Sequence, residues 1–135
     1  MTDWTPRVVT APGAPAPKGP TSAHGVRIGP MLFVTGQSGR RPGTEAYLSD
    51  PTEHARQTME NVKAIVEAGG SRMDLVVKRT IVARDFEIYR QTIGIIESFF
   101  PMPVASTSLR GALMLEDMLL EVEVVAIVAE AAEPS

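Results

Sequence analysis

The sequence predicts one α+β domain in which a β-sheet carries two helices on one face, in the order β-β-α-β-α-β-β. Three observations lead there. Two segments place apolar residues at helical spacing behind recognisable N-caps. Near the C-terminus, apolar residues at every second position mark a half-buried strand. The chain has 135 residues, 44% of them apolar, which is enough for one core and too little for two ordinary domains.

The elements follow in order. Residues 1–20 are expected to be an extended lead-in with little core, because residues 11–20 hold four prolines and two glycines. Residues 26–36 read as an opening hairpin, two β-rich pieces around the turn dipeptide Gly29-Pro30. Residues 37–48 are rich in Gly, Pro, Arg and Ser and read as a loop. Asp50 then caps a helix, with Pro51 at the first helical position and Glu53 at the positive end of the helix dipole. Ala55, Met59, Val62, Ile65, Val66 and Gly69 form its buried stripe, and Gly69-Gly70 ends it. Residues 75–83 are β-branched and alternate in polarity, as in a strand. Asp85 caps a second helix whose stripe is Phe86, Tyr89, Ile93, Ile96 and Phe100, stopped by Pro101. Residues 104–114 and 118–128 supply two last strands, joined near Glu116-Asp117. The domain therefore spans residues 21–130, with a frayed tail at 131–135.

The last strand carries a further inference. Leu120, Val122, Val124, Ala126 and Val128 share one side of the pleat and can receive both helices. Leu119, Glu121, Glu123, Val125 and Ile127 share the other, which is too apolar for open solvent. A second copy of the chain is the economical cover, in a closed symmetric oligomer.

Composition narrows the function. With no cysteine, the chain has no disulfide framework, thiolate metal site or cysteine nucleophile. Two histidines without an acidic cluster make a poor metal set, so neither metal nor cofactor is expected. His54, in the first turn of a helix, is expected to be solvated. A net charge of −3 offers no field for a phosphate backbone, and the pairs Arg40-Arg41 and Lys78-Arg79 read as solvated charges rather than a nucleic-acid surface. No apolar run reaches the roughly 18 residues of a membrane span. The start of the sequence lacks a signal-peptide pattern, so a cytoplasmic protein is expected. Glu121 is the leading candidate for chemistry, since a carboxylate on a covered, partly apolar face is expected to hold its proton more tightly than usual. Ser106, Thr107 and Ser108 form a hydroxyl cluster able to bind a ligand.

Five segments in sequence resemble a known family. They are Leu32-Phe33-Val34-Thr35-Gly36-Gln37, the helix Gln57-Thr58-Met59-Glu60-Asn61-Val62-Lys63-Ala64-Ile65-Val66-Glu67-Ala68-Gly69-Gly70, the stretch Asp74-Leu75-Val76-Val77-Lys78-Arg79-Thr80, Phe99-Phe100, and Glu121-Val122-Glu123-Val124-Val125-Ala126. Together they are similar to RidA/YjgF proteins over residues 19–129. The resemblance implies a chorismate-mutase-like fold and a homotrimer with small-molecule clefts between subunits. It also implies hydrolysis of reactive enamines or imines, such as 2-aminoacrylate, to a keto acid and ammonia. In such proteins a glutamate positions the hydrolytic water, and it matches Glu121.

An arginine in such proteins clamps the substrate carboxylate, as its planar fork suits. Counting back from Glu121, that arginine falls on Ser106; aligned on Pro103, it falls on Ala105. Neither position supplies a guanidinium. A family asparagine falls on Ile93, and a family tyrosine on Thr21 or Ser22, so a less polar pocket is expected. Thr35, Gly36, Gln37, Ser106 and Ser108 are candidate ligand contacts, Arg40 or Arg41 on the following loop a replacement cation, and His24 beside the hairpin a general base. The function implied is an enzyme on a small metabolite, by imine or enamine hydrolysis or a related hydration in a specialised pathway. The alternative is a non-catalytic ligand-binding or regulatory trimer. An endoribonuclease reading is opposed by the acidic charge.

Overall fold

A computed structural model of the chain describes residues 3–132, so residues 133–135 of the expected tail lie outside the described residues. Six strands form one mixed sheet: β1 (Arg7–Val9), β2 (Gly25–Ile28), β3 (Met31–Gln37), β4 (Val76–Ala83), β5 (Ala105–Arg110) and β6 (Leu120–Ile127). Their order across the sheet is β1-β2-β3-β6-β4-β5, antiparallel except for β4 and β5. Two helices, α1 (Pro51–Ala68) and α2 (Phe86–Glu97), pack against the sheet and each other. The one parallel pair is joined through α2, since parallel neighbours require a crossover that returns the chain to the same edge.

Local chemistry explains the helix ends. Asp50 accepts from the Glu53 amide at 3.0 Å, and Asp85 from the Ile88 amide at 2.8 Å. At the exit of α1, Gly70 sits at φ +86°, a conformation costly for any residue with a Cβ. Its neighbour Gly69 serves close approach instead: a Cβ there would lie 2.6 Å from Leu32 Cδ2 on β3. The expected stripe of α1 is buried throughout. Against it stand Leu32, Ile81, Leu120, Val122, Val124 and Ala126, so the predicted inner side of β6 does face the helices. Each fully buried aliphatic side chain contributes about 1.5–3 kcal/mol.

Three expectations about the elements need correction. The lead-in contains strand β1 and buries Val9, Ala11 and Ala14 in the core. A three-residue edge strand between prolines is too short to show alternation, which is why the sequence hid it. On α2 the buried residues are Ile88, Thr92 and Ile96, with Tyr89, Ile93 and Phe100 packed at their margin. Phe86 is 62% exposed, because the first helical position precedes the turn that meets the sheet. The strands expected at 104–114 and 118–128 are shorter, leaving residues 111–119 as a loop.

The other face of the sheet is open. Val8 pairs with Val26, Val26 with Phe33, and Phe33 with Val125, a row of apolar residues crossing four strands. Val8 is 72% and Phe33 46% exposed.

Candidate functional site

A cavity of about 250 Å³ opens where the end of β3 meets the start of β6, roofed by the lead-in and the 111–119 loop. Thr35, Gly36, Gln37, His24, Arg40 and Glu121 all line it, so six of the residues singled out in the sequence come together. The β3–β6 ladder shifts register between Val34 and Gln37, and Gly36 lies within that irregularity. The Glu121 side chain lies over Gly36: a Cβ at that position would be 2.8 Å from Glu121 Cδ and Oε1. Only glycine leaves that space free. Burial pushes the Glu121 carboxyl above its ordinary value of 4.5, and the charge of Glu123 adds to the shift.

The other lining residues are more constrained. His24 Nδ1 accepts from the Ala11 amide at 2.9 Å, so Nε2 is the protonated nitrogen and donates to the Pro15 carbonyl at 2.9 Å. Both ring nitrogens are thereby used to dock the lead-in. This corrects the expectation of a general base. Arg40 is buried, not solvated. Its Nη1 donates to the Thr44 carbonyl at 3.1 Å and Glu45 at 3.2 Å, and its Nη2 to the Ala16 carbonyl at 2.8 Å. It clamps the cavity wall instead of reaching into the space. Thr35 Oγ1 donates to the Ala23 carbonyl at 2.5 Å, and Gln37 Nε2 to the Thr35 carbonyl at 3.2 Å.

Ser106, Ser108 and Ile93 stand elsewhere, contrary to expectation. In the β4–β5 register Ser106 is opposite Arg79 and Ser108 opposite Ile81, both inward-facing positions. Accordingly, Ser106 Oγ accepts from Arg79 Nε at 2.9 Å, and Ser108 Oγ lies 3.5 Å from the Tyr89 hydroxyl on α2. Ile93 packs against the core from α2, on the helix side of the sheet. Arg79 is likewise buried, and its Nη2 donates to Glu97 at 3.2 Å.

Sequence reasoning missed what holds the site. His54, expected in solvent, is fully buried behind the cavity. Its Nδ1 donates to the Leu48 carbonyl at 2.7 Å, while Nε2 accepts from the amides of Gly39 at 3.0 Å and Leu119 at 3.3 Å. Ser38 Oγ donates to the Leu120 carbonyl at 2.5 Å. Asn61 donates to the carbonyls of Ser38 and Arg40 at 3.1 and 2.8 Å and accepts from Gln57 at 2.9 Å. Helix α1 thus fixes residues 38–40 and Leu119, and Ser38 in turn holds Leu120 beside Glu121. The readable signal was a polar stripe: His54, Thr58 and Asn61 recur at helical spacing beside the apolar one.

Desolvation is the main cause holding the His54 pKa below its ordinary 6.5, ahead of the opposing hydrogen bond to the Leu48 carbonyl. The unfolded chain therefore takes up a proton first as pH falls. The resulting stability is complete above pH 6.5 and declines from there down through the lowered folded value. Urea midpoints measured from pH 8 to 5 are expected to fall below pH 6.5, and a His54→Gln variant to lose that slope.

Residues 12–128 match the family described as endoribonuclease L-PSP. The chain belongs to this family. Among its L-PSP relatives, a Salmonella typhimurium protein named 2-iminobutanoate/2-iminopropanoate deaminase is 34% identical over 90% of this chain and 97% of its own length. The structure of the Escherichia coli YjgF gene product has a TM-score of 0.78 at 30% identity, over 90% of this chain and 98% of that one. Escherichia coli TdcF with bound serine has a TM-score of 0.77 at 28% identity, covering 91% and 99%. The fold expected from the RidA/YjgF resemblance is the fold observed, with two helices on a six-stranded mixed sheet. Among the described residues, no helix is long and apolar enough to cross a membrane.

Proposed function

We propose that this L-PSP family protein is a trimeric hydrolase of small imines or enamines, with Glu121 as the group that activates water. The observation that carries the reading is the Glu121 carboxylate laid over Gly36 at the cavity wall, with its pKa raised by burial. Such a group exchanges protons closer to neutrality than an ordinary carboxylate. Water adds to the carbon of the C=N bond as Glu121 takes its proton. The proton passes to nitrogen to give a carbinolamine; Glu121 then moves the hydroxyl proton to the amine as the C=O bond forms and the C–N bond breaks, releasing a carbonyl compound and ammonia. The deaminase name of the Salmonella relative and the serine bound to TdcF support a small nitrogen-containing ligand. A net charge of −3 favours that ligand over RNA.

The arginine position of the resemblance supports a departure in substrate. In the strand register Ala105 lies in the same cross-strand row as Lys78 and Val125, on the face of Glu121, while Ser106 faces the helices. Strand β5 offers Ala105, Thr107 and Leu109 to that face, and none is a cation. The test is ammonia release from imines generated in situ, with and without the protein. Catalysed release supports the hydrolase; binding without conversion replaces it with the ligand-binding alternative.

The trimer buries the open face. Phe33→Asp, which places a charge in the middle of the Val8-Val26-Phe33-Val125 row, is expected to shift the mass by light scattering from three chains to one. A wild-type monomer at micromolar concentration would contradict the assembly.

A further inference from the structure

We propose that Arg79 anchors a second binding site, for a small monocarboxylate with an apolar chain, in a cleft between the end of α2 and the start of β5. The site lies on the opposite side of the sheet from Glu121 and does not depend on the reaction assigned there.

The guanidinium supplies the first argument. Arg79 occupies an inward-facing position of β4 and is 8% exposed, a placement a cation tolerates only when its N–H groups find partners. Nε donates to Ser106 Oγ at 2.9 Å and Nη2 to Glu97 at 3.2 Å, and the guanidinium carbon stands 4.9 Å from the centre of the Phe100 ring. Ser106 and Phe100 together fix the plane of the fork. Nη1 has no partner among the described residues. Among those residues no fully buried side-chain polar atom lacks a partner, so Nη1 reaches open space. That space is a cleft of about 430 Å³ lined by Arg79, Glu97, Phe100 and residues 101–104.

The partner already in place supplies the second. Glu97 holds one nitrogen of the fork through one hydrogen bond, from a side chain 59% exposed. Such a pair gives up rotamer freedom for an attraction that water and salt screen. A ligand carboxylate that takes Nη1 and Nη2 together replaces one bond with two parallel ones, the geometry that suits the planar fork. The released Glu97 returns to water. Beyond the two charged residues the lining side chains are apolar, with Phe100, Met102 and Val104 set between two prolines. A short alkyl chain on the carboxylate is buried against them. Every group named belongs to one chain, and Arg79 faces the helices, away from the open sheet face that the proposed trimer covers.

The probe is 3-methylbutanoate, titrated into the ¹⁵N-labelled full chain at pH 7.5, with 3-methylbutanamide and sulfate at matched ionic strength as controls. The carboxylate is expected to shift the Arg79 Nε–Hε resonance and the amides of Phe100, Met102 and Val104 saturably, and the two controls to leave them in place. Binding in the Glu121 cavity would show separately, through the amides of Gly36, Gln37 and Glu121. Glu97→Gln, which puts a neutral competitor on Nη2, should tighten the carboxylate at least threefold. Arg79→Lys keeps the charge without the fork and should weaken it at least tenfold; if that variant does not fold, the Glu97→Gln result decides. Shifts confined to the Glu121 cavity, an equal response to sulfate or the amide, or an affinity unchanged in Glu97→Gln overturns the proposal.

Discussion

Glu121→Gln is expected to lower kcat for imine hydrolysis by at least about 100-fold, the scale of a lost general base. The substitution keeps the shape of the side chain over Gly36, where the fit allows no added atom. What it removes is the ability to take a proton from water. Folding should not suffer. Burial already disfavours the charged form of Glu121, and Glu123 repels it, so a neutral amide relieves a cost present in the native state. Thermal melting should therefore show an unchanged or slightly raised Tm, and light scattering the same assembly. A variant with normal turnover would remove Glu121 from the chemistry. A variant that fails to assemble would make the residue structural, and the two results are separable in one preparation.

The second large effect is on stability. Gly39→Ala should destabilise the fold by about 2–5 kcal/mol, combining overpacking with the loss of a buried hydrogen bond. An alanine Cβ at residue 39 would lie 2.6 Å from His54 Nδ1 and closer still to the ring carbons. The ring cannot retreat, because it is fully buried and held by Leu48, Leu119 and the Gly39 amide. Moving the loop instead pulls Ser38 and Arg40 off Asn61. For a chain of this size the Tm should fall by about 10 °C. Gly94→Ala on α2 is the control: its Cβ meets nothing within 4 Å, so helix propensity alone should stabilise by about 0.5–1 kcal/mol. If both substitutions behaved alike, the His54 cluster would not be a distinct source of stability.

The same cluster shows what was legible in the sequence. Two capped helices, their order among the strands and the two-sided character of β6 were readable because each follows from a period or a cap visible in a few adjacent residues. Glu121, Gly36 and Gln37 were found together because the β3 and β6 segments match the family in sequence, and the register then brings their ends side by side. The polar side chains behind them were misjudged for one reason. His24, Arg40 and His54 each bind backbone groups contributed by distant loops, and a partner carbonyl or amide leaves no trace in residue type. Ser106 and Ser108 went to the wrong face because residue identity does not fix the register of an edge strand, and a shift of one position reverses every side chain. Strand β1 escaped because its three residues owe their place to pairing with β2 and to the burial of Val9.

The pH dependence of imine hydrolysis tests the role of Glu121 most directly. With the carboxylate acting as base, kcat falls as pH drops through its pKa. The acid limb should therefore have a midpoint above the ordinary 4.5. Glu121→Gln should remove that limb along with most of the rate. A wild-type profile without an acid limb, or the same limb at full amplitude in Glu121→Gln, would contradict the mechanism.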